Sequence, residues 1–152
     1  MFVDFRWKMS RETYCTVMGW AGATCPPRQG IPPLNPAAAE RAIAQAYTQA
    51  FTGGQNPAHV LAAVQDCPAL ADALAQATQN YPEAFATSGV TTGDVIFANP
   101  WNASIYYDTT YQGAPDIGEQ IGKAVVVNGQ WKVSRETYCG VLSLAGGTCP
   151  AP

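Results

Sequence analysis

The chain contains one of its own segments twice, and that repeat limits what it can fold into more than any other feature. Trp7-Lys8-Met9-Ser10-Arg11-Glu12-Thr13-Tyr14-Cys15 recurs as Trp131-Lys132-Val133-Ser134-Arg135-Glu136-Thr137-Tyr138-Cys139. The match continues without a gap through Val17/Val141, Ala21-Gly22/Ala145-Gly146 and Thr24-Cys25-Pro26/Thr148-Cys149-Pro150, at a constant offset of 124 residues. An offset of that size is about one domain, far beyond the roughly 20 to 50 residues of a solenoid unit. Residues 1–27 therefore read as the tail of a preceding repeat copy, 28–34 as a proline-rich linker and 35–152 as one complete α+β domain. A strand-and-helix piece as short as the tail is too small to fold alone. Its expected fates are disorder, addition as a strand to the open edge of a sheet, or replacement of the matching tail in another chain. Strand form is expected at residues 3–9, and self-association through residues 1–27 is the partner expectation that follows.

The cysteines repeat with the segment. Nine residues separate Cys15 from Cys25, and nine separate Cys139 from Cys149. With no nearby histidine and no Cys-x-x-Cys, this spacing fits two local disulfides better than a metal site; the alternative is free buried thiols. Cys67 is left over; it reads as a small buried side chain or as a partner for another chain, and burial is the expectation.

Along the rest of the chain, helix signals come first. Asn35-Pro36 reads as an N-cap with proline in the first turn, ahead of Ala39, Ile43, Ala46, Tyr47, Ala50 and Phe51 at helical spacing, and Gly53-Gly54 stops the run. Asn56-Pro57 repeats that start ahead of Val60, Leu61 and Val64. A third helix is expected to begin at Asp66-Cys67-Pro68, to pack with Leu70, Leu74, Ala77 and Tyr81, and to end at Pro82. From Thr91 the period becomes two. Asp94–Ala98 and Ala103–Thr110 flank a turn at Asn99-Pro100-Trp101-Asn102, and Lys123–Val127 meets Gln130–Val133 across Asn128-Gly129, a strong hairpin signal. Ser134 then caps a short last helix that ends at Gly146-Gly147. The expected fold is α+β: three leading helices packed on the concave face of a curved antiparallel sheet of about four strands, with a short C-terminal helix.

Helices first, then strands, then Gly122-x-x-Val125-Val126-Val127-Asn128-Gly129-Gln130-Trp131-Lys132-Val133-Ser134-Arg135-x-Thr137-x-Cys139 with a closing Cys149-Pro150, resemble the secreted low-molecular-weight antigen family of mycobacteria and their relatives. Gly129 to Cys139 is the most specific part, and the resemblance covers about residues 33–152 plus the duplicated tail. It implies a C-terminal domain similar to nuclear-transport-factor-2-like cones. It also implies an exported or cell-wall-associated actinobacterial protein with no established catalysis, whose export signal is not in this chain.

Composition narrows the partners. A net charge of -3 and scattered basic residues argue against a nucleic-acid surface, and no stretch reaches the length of a membrane span. No cofactor or metal motif is present: His59 is the single histidine, placed at an exposed helix start, and it supports neither a triad nor a ligand set. An isomerase of this shape would need a carboxylate base, Asp94 or Asp108, facing donors such as Tyr106, Tyr107 or Tyr111. Both aspartates read as solvated strand-end residues instead. Trp101, Tyr106, Tyr107, Tyr111 and Trp131 are the candidate ligand or partner contacts, with Trp131 also reading as a core or pocket-wall residue. The first functional expectation is a non-catalytic antigen-type interaction module. Its rivals are a carrier of a lipid or small apolar ligand, which needs a roomy apolar cavity, and a cofactor-independent isomerase or hydrolase.

Overall fold

The computed structural model describes residues 2–3, 6–7, 10–22, 25–115 and 118–151. The tail contributes β1 (Phe2–Val3), β2 (Arg6–Trp7) and α1 (Arg11–Trp20). Five helical segments follow: α2 (Pro36–Phe51), α3 (Pro57–Leu61), a 3-10 turn (Cys67–Leu70), α4 (Ala71–Asn80) and α5 (Pro82–Thr87). Then come β3 (Ser88–Asn99), β4 (Asn102–Tyr111), β5 (Ala114–Pro115), β6 (Gln120–Val127), β7 (Gln130–Val133) and α6 (Arg135–Leu144).

The helix starts have their expected chemistry. Asn35 Oδ1 accepts from the Ala38 amide at 3.1 Å and Asn56 Oδ1 from that of Ala58 at 2.8 Å, each satisfying a donor that the first turn leaves orphaned. The stretch after Val64 differs from expectation. Asp66 makes no cap; it takes a left-handed conformation (φ 56°), and a 3-10 turn precedes α4. Tyr81 faces solvent rather than the core. Pro82 ends α4 as expected and also opens α5, because its fixed φ and missing N–H suit a first helical position as well as they stop a helix. The Cys67 side chain, expected to be buried, lies outside the described residues.

The strands run β3-β4-β6-β7, all antiparallel, with the two-residue β5 against the far end of β4. Bulges between Thr92 and Val95 and between Phe97 and Asn99 bend β3. Helix α2 packs against β3 and β7, the first and last strands, so the sheet curls around it as a half-barrel. Ile43, Tyr47, Ile105, Val64, Val133 and Leu142 are the sealed centre of that concavity. Asn128 (φ 51°) and Gly129 (φ 79°) supply the two left-handed residues that the β6–β7 hairpin turn needs. Both outer edges are partly covered. On β7, Val133 donates to the Ala63 carbonyl at 2.8 Å and accepts from Gln65 at 2.9 Å. On β3, Gly30 of the linker donates to the Phe97 carbonyl at 2.6 Å and Gly53 to that of Ser88 at 2.8 Å.

The repeated segments form the same local structure. Phe2 pairs with Trp7 and Val3 with Arg6, the register in which Val126 pairs with Trp131 and Val127 with Gln130. Strand form, expected at residues 3–9, is thus seen at 3, 6 and 7, while 4, 5, 8 and 9 lie outside the described residues. Ser10 Oγ accepts from the Thr13 amide at 3.1 Å and Ser134 Oγ from that of Thr137 at 3.2 Å. Gly22 (φ 80°) and Gly146 (φ 79°) close the two helices, and the pairs Cys15–Cys25 and Cys139–Cys149 are both disulfides. Burial separates the copies. Tyr138 is 2% exposed in the core, whereas Tyr14, its counterpart, is 54% exposed.

Candidate ligand-binding site

The alternation of β4 sends Ala103, Ile105, Tyr107 and Thr109 to the concave side. At one end this row meets α2 and α6 in a ring cluster. Phe51 lies 5.5 Å from Tyr47, 5.6 Å from Tyr107 and 5.5 Å from Tyr138. The Tyr47 hydroxyl donates to the Lys123 carbonyl of β6 at 2.9 Å. Burial raises the pKa values of Tyr47, Tyr107 and Tyr138 above the usual phenol range, with Tyr107 adding to the effect on Tyr47, so these hydroxyls stay protonated at ordinary pH.

Beyond these rings the helices do not fill the concavity. A cavity of about 790 Å³ opens between α2, α4, α5, α6 and the ends of β3 and β4. Phe51, Leu74, Phe85, Val141 and Leu142 supply much of its apolar wall, with Leu144 and Tyr81 among its lining residues. No charged side chain lines it. Its polar lining is neutral, made of hydroxyls and one side-chain amide. Thr78 Oγ1 is already engaged with the Leu74 carbonyl at 2.7 Å. Thr109 Oγ1 is buried and has no hydrogen-bond partner. The Glu83 carboxylate, outside the lining, accepts from the hydroxyl of the lining residue Tyr111 at 3.5 Å.

The five candidate contact aromatics do not gather at one place. Tyr111 lines the cavity and Tyr107 is packed in the core. Trp131 sits 6.0 Å from Phe97, against the core near the hairpin. Tyr106 lies on the convex face opposite Ile121, and Trp101 is exposed in the β3–β4 turn. Of the acid–base candidates, Asp94 is exposed beside Glu40 and Arg41 in a separate cleft of about 620 Å³ between α2 and β3. Asp108 does not end its strand: it lies within β4 on the outward phase, with Oδ1 buried and unpartnered, because β4 runs on to Tyr111. Neither carboxylate lines the apolar cavity. The His59 carbonyl accepts from Gln49, and no group of three or more metal-ligating side chains gathers among the described residues. Phe85, Thr109 and Leu142 were not singled out as site residues from the sequence. The one available signal was Thr109, a polar residue in the apolar phase of its strand.

Among the described residues no helix is long and apolar enough to cross a membrane. Compared with curated proteins and with solved structures, the chain matches none. Residues 36–149 match the family model "Low molecular weight antigen MTB12, C-terminal domain", and the chain belongs to that family.

Proposed function

We propose that this protein is a non-catalytic, exported or cell-wall-associated binding module, and that it works by holding a small apolar molecule in its cavity. The observation that carries this reading is the cavity of about 790 Å³ with an apolar wall and no charged lining residue. Its volume is in the range of ligand pockets. Membership of an antigen family and two disulfides, which persist in oxidising compartments, support export. A half-barrel wrapped on one helix is in keeping with the cone-like fold that the resemblance implies. An isomerase or hydrolase would need a carboxylate facing the cavity, and no residue that lines it carries one. Native mass spectrometry of the oxidised protein, purified from an actinobacterial host, tests the proposal. A co-purifying mass on the order of a few hundred daltons, released on denaturation, is expected. A bare protein that also fails to bind the neutral dye N-phenyl-1-naphthylamine overturns it.

We infer also that residues 1–27 promote self-association, as the duplication suggests. Tyr14 and Val17 are exposed on α1, while the matching Tyr138 and Val141 pack on the core, and Trp20 is 82% exposed. A helix face built to be covered is thus open. Light scattering across a concentration series should show a mass that rises with concentration in the intact chain and not in Trp20→Ser. A constant monomer mass at millimolar protein sinks the idea.

A further inference from the structure

We infer that the segment after α6 is a strap that holds two walls of the cavity together, and that the Cys139–Cys149 bond fastens it, so that ligand affinity is linked to the oxidation state of this pair. This rests on the cavity-binding reading above and names a regulation of the same site.

The strap joins two helices that both line the cavity. Helix α4 contributes Leu74 and Thr78 to the lining, and α6 contributes Val141, Leu142 and Ala145. From the end of α6 the chain crosses α4. Asn80 Nδ2 donates to the Ala145 carbonyl at 3.0 Å, and the Thr148 amide donates to Gln76 Oε1 at 3.0 Å. Between these two bonds the strap lies flat. A Cβ on Gly147 would stand 2.6 Å from the Ala73 carbonyl oxygen, and one on Gly146 would stand 2.6 Å from Asn80 Nδ2. Ala73, Gln76 and Asn80 share one face of α4, since residues three and seven apart line up on a helix. The strap then returns to the start of α6, where Arg135 donates to the Pro150 carbonyl and Cys149 is bonded to Cys139.

Of these attachments the disulfide alone is covalent. Both side-chain bonds to α4 are exposed and exchange readily for bonds to water, so each adds little by itself. Cys139 and Cys149 are half-buried and not sealed, which leaves them open to a small dithiol. In that exchange the dithiol passes two electrons and two protons to the two sulfurs and leaves as its own disulfide, and the strap is freed at its far end. A wall that is free to shift fits an occupant less well. Linkage then requires the converse: an occupant makes the pair harder to reduce, by the same factor. The tail carries its own comparison. Cys15–Cys25 closes the same loop on α1, a helix that contributes nothing to the lining.

The test is titration with N-phenyl-1-naphthylamine under oxidising conditions. Cys139→Ser/Cys149→Ser is expected to weaken dye binding about 5- to 10-fold, and Cys15→Ser/Cys25→Ser to leave it unchanged. Gly147→Ala keeps the disulfide but pushes the strap off Ala73, and it should weaken the dye in the same direction. In Cys15→Ser/Cys25→Ser, saturating dye should move the equilibrium with dithiothreitol toward the oxidised protein by the same factor of about 5 to 10. Equal dye affinity with and without Cys139–Cys149 overturns the inference and leaves the cavity reading standing. So does an equal loss in both double variants, or a dithiothreitol equilibrium indifferent to the dye. Absence of dye binding by the wild type overturns the cavity reading itself. Near-ultraviolet circular dichroism establishes that each variant is folded, and if Cys139→Ser/Cys149→Ser is not, Gly147→Ala decides: undiminished dye affinity there overturns the inference.

Discussion

At the scale of single residues, two glycines set how closely the layers approach. Gly122 points inward from β6, where a Cβ would overlap the Tyr47 hydroxyl and stand 2.8 Å from Tyr107 Cε1 and 3.0 Å from Thr137 Cγ2. Gly122→Ala should therefore destabilise the domain by about 1–3 kcal/mol, as overpacking does, and thermal denaturation measures it. At Gly30 a Cβ would run into the Ala98 backbone, so Gly30→Ala should free the linker from β3, at a smaller cost because the linker can move away. The buried tyrosines make a prediction about pH. Burial holds the folded pKa values of Tyr47, Tyr107 and Tyr138 above the ordinary phenol value of about 10, so above that pH the unfolded chain releases protons that the folded one keeps. Their contribution to stability is whole below pH 10 and declines as pH rises beyond it. Melting temperatures followed from neutral pH into strong alkali should show that onset, and ultraviolet titration should find these three phenols silent until the fold is lost. How much of this was legible varies by residue. The capping asparagines and Ser134 were readable because a cap is a local event. Asp66 was misread as a helix start because nothing local distinguishes a cap from a left-handed residue feeding a 3-10 turn. Thr109 stood out locally as a polar residue in the apolar phase of β4, but that it lines a cavity depends on helices distant in sequence.

At the scale of elements, the last helix is too short to be stable alone and is held by its attachments. Arg135 lies 3.6 Å from Asp66 and donates to the Pro150 carbonyl, Thr137 accepts from the Lys123 amide at 2.9 Å, and the Cys139–Cys149 bond closes its end. Replacing Cys139 and Cys149 by serine should cost about 3 kcal/mol on the loop-entropy model. The same change at Cys15 and Cys25 should leave the main unfolding transition where it is, since α1 is the exposed copy. Calorimetry of the two double variants checks the contrast. The order of helices and strands was legible because Asn-Pro starts, Gly stops and the Asn128-Gly129 turn punctuate the chain. Helix α5 was not, because one proline served two helices. The cavity was not legible either: an alanine-rich helix can lie flush on a sheet or leave room, and which occurs depends on the bend of β3 and the placing of α5.

At the scale of the whole molecule, one position exists for a helix of which the chain carries two versions. Deleting residues 1–27 should leave the melting temperature of the remainder nearly unchanged, because the core residues lie from Ala39 to Leu142; a large drop would show that the domain needs its tail. The two versions are not equivalent occupants. Ala23 stands where the last helix has Gly147, and a Cβ there would meet the Ala73 carbonyl oxygen at 2.6 Å. That overlap disfavours a neighbour's tail in this position, so the self-association proposed above is expected to use the open face of α1.

The covered sheet edges decide what such association can become. Antiparallel sheets polymerise by adding strands at free edges, and here backbone groups on both edges are bonded to the chain's own Gly30, Gly53, Ala63 and Gln65. If the proposed self-association runs through the exposed face of α1, these bonds disfavour its growth by strand addition at the points they cover. Such a face paired with its own copy would close on a dimer rather than open into a fibre.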